Sequence, residues 1–211
     1  MPGAVNADDA GHFEPARERV VRAMAELWAS RGYEETDLAE VAERAEVGPE
    51  TLADLFADKE ETATASVEKI LADVVTSVSA NYSADRAERD SYLSAIKSLL
   101  ELMAARPSFA YVAYIGSRHG PPAARKTHAA GIQILVALLE RLGDLSTAGY
   151  PPCSARGALG GPEAVVRREV ARGRVENLPH LLPDFVYSAT VPFLGQEEAM
   201  RLARQARKLS D

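Results

Sequence analysis

From Glu14 onward the apolar residues of this 211-residue chain recur at three- and four-residue spacing. Nowhere do they alternate as a half-buried strand requires, which restricts the chain to an all-α fold. Over 14–31, Val20, Val21, Met24, Leu27 and Trp28 share one face, and Gly32 ends the run. Asp37 stands as N-cap of a short helix with Glu40 three residues on, a capping-box spacing. Leu38, Val41, Ala42 and Ala45 form its buried stripe. Gly48-Pro49 opens the next helix, with Leu52, Leu55 and Phe56 on one face and Glu50, Ala53 and Asp54 on the other. Asp58 caps a long fourth helix, and Glu61 completes a second capping box. That helix runs through Ile70, Leu71, Val74, Val75 and Val78 toward Tyr82. Further helices are predicted at 88–105, 108–116, 122–143, 158–173, 179–191 and 196–209, about nine to ten in all. Pro107, Pro121-Pro122, Gly173, Pro179 and the segment from Pro192 to Gly195 punctuate them. The stretch DLSTAGYPPCSARG, 144–157, reads as a mobile loop.

Composition removes several classes of protein. The chain is 46% hydrophobic and 26% charged, ordinary for a soluble protein. No apolar run approaches the roughly 20 residues that span a bilayer, so no membrane partner is expected. The opening MPGAVNADDAGHF has neither the basic nor the apolar region of a signal peptide and reads as a disordered arm over 1–13. A cytoplasmic address is the expectation. One cysteine, Cys153, excludes an internal disulfide and a cysteine-built metal site, and its Pro-rich loop makes it a bystander rather than a nucleophile.

Charge is distributed unevenly. Between Glu34 and Glu61 eleven Asp and Glu face only Arg44 and Lys59, a balance of −9 in a chain whose net charge is −7. The rest of the chain therefore carries +2, and the acidity belongs to the N-terminal module.

Three short helices feeding a long fourth one, then a separate helical body, resemble the tetracycline-repressor (TetR) family along nearly the whole chain. The motifs are Gly32-Tyr33 with Leu38-x-x-Val41-Ala42-x-x-Ala45-x-Val47, then Thr51-Leu52, Phe56 and Lys59-Glu60. The segment 160–199 is similar to the C-terminal helices of actinobacterial-type members. The resemblance implies a helix-turn-helix head over 14–58 and a ligand-binding and dimerisation body over 59–211. It implies a homodimer whose heads enter successive major grooves of operator DNA and release it when a small molecule binds. Gly48, Glu50, Thr51, Asp54 and Lys59 fall on the reading surface. There the chain departs from the family, with Asp37 for threonine or serine, Glu46 for glycine, Gly48 for serine, Glu50 for glycine, Ala53 for tyrosine and Leu55 for histidine or tyrosine. The usual phosphate contacts are reduced to Lys59 and Thr51. Nonspecific DNA affinity is nearly all phosphate neutralisation, so this acidic, degenerate face admits two readings. Either DNA is read through atypical contacts, Glu and Asp being able to accept from the cytosine amino group, or DNA binding is lost and the body serves another use. The carboxylates Glu40, Glu43 and Glu46 also fit a plain solvated helix face.

In the body, Tyr92, Ile96 and Met103 lie on one inward stripe, and Phe109, Tyr111 and Tyr114 concentrate aromatics on a short helix. His128 shares a face with Ile132, Leu135, Val136 and Leu139, as a core histidine or as a polar contact for a ligand. These residues form the expected pocket, mostly apolar with few polar tips, suited to an apolar or aromatic small molecule. No nucleophile elbow, phosphate-binding glycine loop or HExxH spacing occurs. His128, His119, Tyr114 and Glu101 are the acid–base groups within reach of a ligand, without a motif to name a reaction, so the reading leans away from an enzyme. No metal and no cofactor are expected. Val166 and Val170 on one helix, with Leu182, Phe185 and Ala189 on the next, offer an apolar face for a two-fold dimer; the alternative is that they close the monomer.

Overall fold

The computed structural model of the chain describes residues 7–81, 88–143 and 155–210, and among these no strand occurs. The head is built from α1 (Ala7–Arg31), α2 (Leu38–Ala45) and α3 (Pro49–Leu55), followed by α4 (Lys59–Asn81). The body continues with α5 (Glu88–Ala105), α6 (Pro107–Tyr111), a π-helical turn (Val112–Gly116), α7 (Ser117–His119) and α8 (Pro122–Gly143). After the undescribed residues come α9 (Ala155–Ala171), a 3₁₀ stretch (Val175–Leu181) and α10 (Leu182–Ser210).

Most predicted boundaries fall within a few residues of those observed, with four differences. Helix α1 begins at Ala7, inside the stretch read as an arm. The segment read as one helix over 108–116 is a short α-helix running into a π turn. The loop expected over 144–157 lies outside the described residues except at its end, where α9 has begun. The two helices expected over 179–191 and 196–209 meet with little gap: Pro192 withholds a donor, and Gly195, at φ 78° and ψ 170°, breaks the helical path.

Helix α1 is the spine of the head. Val20, Val21, Met24 and Trp28 are almost fully buried, each contributing about 1.5–3 kcal/mol of transfer free energy. The Ser66 hydroxyl of α4 donates to the Val21 carbonyl at 2.9 Å, tying the spine to the long helix behind it. Beyond the head, Trp28 packs on the π turn and on Gly120. A Cβ at Gly116 would stand 3.0 Å from the indole nitrogen, and one at Gly120 only 2.6 Å from the ring carbon Cζ2. Both glycines are there to let the indole in. Head and body thus share one continuous apolar core.

The capping expectations hold in modified form. Asp37 accepts from the Ala39 backbone at 2.7 Å, but the Glu40 carboxylate turns away to bind Arg31. Asp58 accepts from the Glu61 N–H at 2.8 Å, and Glu61 reaches back to the N–H of Ala57 rather than of Asp58.

The exit of α9 is closed by charge. Glu169, with its side chain 7% exposed, accepts from Arg174 at 2.9 Å and Arg168 at 3.3 Å. Burial alone would push its carboxyl up, but the two guanidiniums outweigh burial and hold it below its ordinary value. A carboxyl lowered in the folded state stabilises the fold above its unfolded value, near 4.5, and that contribution is lost as pH falls through the folded value. Glu169→Gln is therefore expected to melt below the parent at pH 7, with the gap closing as pH falls through the folded value. Thermal scans across that range check it; a gap that persists at acid pH would assign the loss to shape rather than charge.

Candidate functional site

Two surfaces compete for attention, the outer face of α3 and a cavity in the body. On α3, Leu52 is buried and Leu55 half-buried against the head, while Gly48, Glu50, Ala53 and Asp54 are exposed and Thr51 is half-buried. Glu46, where the family resemblance implies glycine, has φ 54° and ψ 48° at the end of α2. A left-handed residue with a Cβ costs about 1–2 kcal/mol, so the backbone has kept the turn and lost its natural residue.

Most basic residues of the head are engaged by partners within it. Lys59 donates to the Glu34 carbonyl at 2.9 Å, with its ammonium 4.5 Å from the centre of the Tyr33 ring. Arg19 donates to the Ala45 carbonyl at 2.8 Å, satisfying the end of α2. Arg44 pairs with Glu26 at 2.7 Å, Arg31 with Glu40 at 2.7 Å, and Arg17 lies 5.0 Å over the Phe56 ring. Arg22 is exposed beside a cleft with Glu18 and Glu26. The three-helix scaffold of the head is intact, with carboxylates forward and guanidiniums turned back.

The body encloses a narrow cavity of about 70 Å³ between α4, α5, the π turn and α8. Its wall is apolar: Val67, Ile70, Leu71 and Val74 of α4, Leu99 and Met103 of α5, and Ile132 and Leu135 of α8. Its polar groups are Tyr114, Thr127 and His128. Met103, Tyr114, His128 and Ile132 are thus brought together as the sequence suggested. Tyr92 and Ile96 are buried on the same helix without lining the cavity, and the Tyr92 hydroxyl has no hydrogen-bond partner among the described residues. Phe109 lies instead beneath Arg106, in a cleft beside α1, and Tyr111 is half-buried near Gly116.

The π turn re-aims the helix so that Tyr114 faces the cavity, and π turns recur at functional sites. Tyr114 is buried, and burial first, then the Glu163 charge, raise its phenol far above its ordinary value. It stays protonated and can donate. His128 is lowered by burial, and further by Arg118 and Arg156, with Glu163 opposing, so it is neutral near pH 7. Arg118, one turn beyond Tyr114, is ion-paired with Glu163 of α9. His119 is exposed, and Glu101 is exposed and paired with Lys97. The candidate acid–base groups therefore do not converge on one point.

Sequence periodicity had no means of assigning the α4 wall to a cavity, because Ile70, Leu71 and Val74 read equally as core. The Arg118–Glu163 pair joins residues 45 apart and carries no local signal.

The five residues expected at a dimer interface are buried within the single chain. Val166, Val170, Leu182, Phe185 and Ala189 are all at most 5% exposed in the single chain. They pack α9 against α10 and the 3₁₀ stretch, as the alternative in which these stripes close the monomer requires. At the surface beside them a shallow groove remains between Val165, Leu181 and Ser188.

Residues 20–65 match the sequence profile described as bacterial regulatory proteins, tetR family. A comparison with curated proteins returns no match. Among solved structures, FadR from Bacillus subtilis, in complex with stearoyl-CoA, superposes with a TM-score of 0.70 at 17% identity, covering 84% of this chain and 98% of its own. A tetR-family regulatory protein from Rhodococcus RHA1 gives 0.60 at 19% identity, over 92% of this chain and 96% of its own. A gamma-butyrolactone receptor, ArpA-like, gives 0.63 at 19% identity, over 94% and 99%. At such identities these likenesses speak for the fold alone. Residues 20–65 thus carry the tetR-family profile, and the chain as a whole has the fold of these solved TetR-family structures.

Proposed function

We propose that this chain is a homodimeric transcriptional regulator that takes an apolar or aromatic small molecule in the α4–α5–α8 cavity and contacts operator DNA through an atypical, acidic head. The observation that carries it is the double duty of α4. Its first turn, from Lys59, adjoins the helix-turn-helix, and its third to fifth turns, from Val67 to Val74, wall the cavity. A ligand that fills this narrow space presses on α4 and α8, which face each other across it. Displacing α4 moves the head, which is the differential interaction that a ligand-driven change of DNA affinity requires. Relatives of the same fold support the reading: one is in complex with stearoyl-CoA and another is described as a butyrolactone receptor. A DNA-contacting role places the protein in the cytoplasm. The two-fold contact is assigned to the outer faces of α9, the end of the 3₁₀ stretch and α10, around Val165, Leu181 and Ser188.

A second reading has its own observation. With Arg17, Arg19, Arg31, Arg44 and Lys59 held by partners inside the head, little positive charge is free for phosphates. In that reading the pocket binds, carries or converts a metabolite and DNA binding is lost.

The test is a mobility shift of the full-length protein on DNA from its own promoter region at about 50–100 mM salt, where electrostatic binding is strong. A sequence-specific shift is expected; its absence favours the second reading. Sedimentation of the same samples at micromolar concentration should give a dimer, and Val165→Asp should give monomer. Phe185→Asp would not serve, since a charge there disrupts the monomer's own core.

A further inference from the structure

The cavity between α4, α5, the π turn and α8 is lined without a formal charge. Apolar side chains make most of its wall, and its polar lining residues are Tyr114, Thr127 and His128. The Arg118–Glu163 ion pair lines no part of it. His128, held below its ordinary value first by burial, is a neutral imidazole near pH 7. Tyr114 is 7% exposed, and its hydroxyl makes no hydrogen bond among the described residues. A buried donor left unpaired costs stability, and one that lines a cavity recovers the bond from whatever fills the space.

We propose, resting on the reading of this cavity as a ligand site, that it takes an uncharged, slender molecule, an alkyl chain bearing a ketone or ester, whose carbonyl oxygen accepts from the Tyr114 hydroxyl. An anion or a cation entering here leaves water with no opposite charge among the lining residues to meet it. That desolvation costs far more than one hydrogen bond returns. A carbonyl gives up less: its oxygen accepts from the phenol, and it carries no donor that would need a partner in an apolar wall. Burial first, then the Glu163 charge, raises the phenol far above its ordinary value, so it keeps its proton and remains a donor. The alkyl chain has a path along α8. There the lining runs from Thr127 and His128 through Gly131 and Ile132 to Leu135, roughly 10 Å along the helix axis. A Cβ at Gly131 would come within 3.1 Å of the Leu71 side chain, so α4 and α8 approach closely and the path is narrow.

Isothermal titration of the full-length protein at pH 7 with 2-nonanone, nonanoate and nonylamine compares three charge states at one chain length. The ketone is expected to bind at least about tenfold more tightly than either ion. Tyr114→Phe should weaken the ketone about five- to tenfold and leave the two ions unchanged. Gly131→Leu, a change at a helical position that fills the slot, should abolish ketone binding and so locates the site. Melting curves establish that both variants are folded, and the comparison of the three probes on the parent needs no variant at all. Nonanoate or nonylamine binding as tightly as the ketone overturns the uncharged assignment while leaving the cavity as a ligand site. An unchanged ketone affinity in Tyr114→Phe overturns the hydrogen bond, and an unchanged affinity in Gly131→Leu overturns the placement in this cavity. No binding of any of the three overturns the proposal together with the ligand-site reading on which it rests.

Discussion

Replacing Trp28 with alanine is expected to cost about 3–5 kcal/mol, the range for removing a fully buried aromatic from a core. Trp28 is 1% exposed and occupies the seam between α1, the π turn and Gly120. The chain's stability as a whole is on the order of 5–15 kcal/mol, so the variant should melt roughly 10 °C or more below the parent. The seam also predicts the effect of the opposite change. Gly120 has φ −81° and ψ −175°, which any residue adopts, so Gly120→Ala meets no backbone strain. Its cost, about 1–3 kcal/mol, comes wholly from a methyl placed 2.6 Å from the indole ring carbon. In a Trp28→Phe background that ring carbon is absent, so the same glycine change should cost less. A double-mutant cycle by denaturant unfolding measures the coupling. If Trp28→Ala loses under about 1 kcal/mol, or if the two sites prove additive, head and body are not joined through this contact.

Helix existence was legible in the sequence because each helix carries its own apolar period and punctuation: Gly32, Gly48-Pro49, Pro107 and Gly173 all end or open elements where structure shows them. Register on α8 was legible for the same reason, and it delivered His128 and Ile132 to the cavity together. The pocket's other half was not. Whether Leu71 meets a neighbour or a void depends on how far α4 stands from α8, and no single-chain periodicity encodes a distance between helices. The π turn was equally hidden, since one extra residue in a helix leaves the apolar pattern almost unchanged while rotating every residue beyond it. The α9–α10 stripes illustrate a third limit. Val166 and Phe185 announce that they are buried, but sequence does not say whether the burying surface belongs to the same chain.

The acidic head yields the prediction with the largest expected effect on binding. Glu50 and Asp54 are exposed on the outer face of α3, and in a dimer each occurs twice. A carboxylate about 8 Å from a phosphate weakens affinity roughly twofold in water before screening. Neutralising both, as Glu50→Gln with Asp54→Asn, should therefore raise nonspecific DNA affinity about tenfold at ~50 mM salt, with the gain fading as salt screens the charges. Lys59 should behave differently from a free phosphate contact. Its ammonium already donates to the Glu34 carbonyl and stacks on Tyr33, so Lys59→Ala is expected to change DNA affinity little and to lower the melting temperature of the head. Fluorescence anisotropy on a random duplex across a salt series measures both variants. Should the double neutralisation leave affinity unchanged at low salt, α3 does not face DNA in any bound state, and the acidic surface serves some contact other than a phosphate backbone. Should Lys59→Ala instead flatten the salt dependence, the lysine leaves Glu34 to reach a phosphate, and the head rearranges on binding.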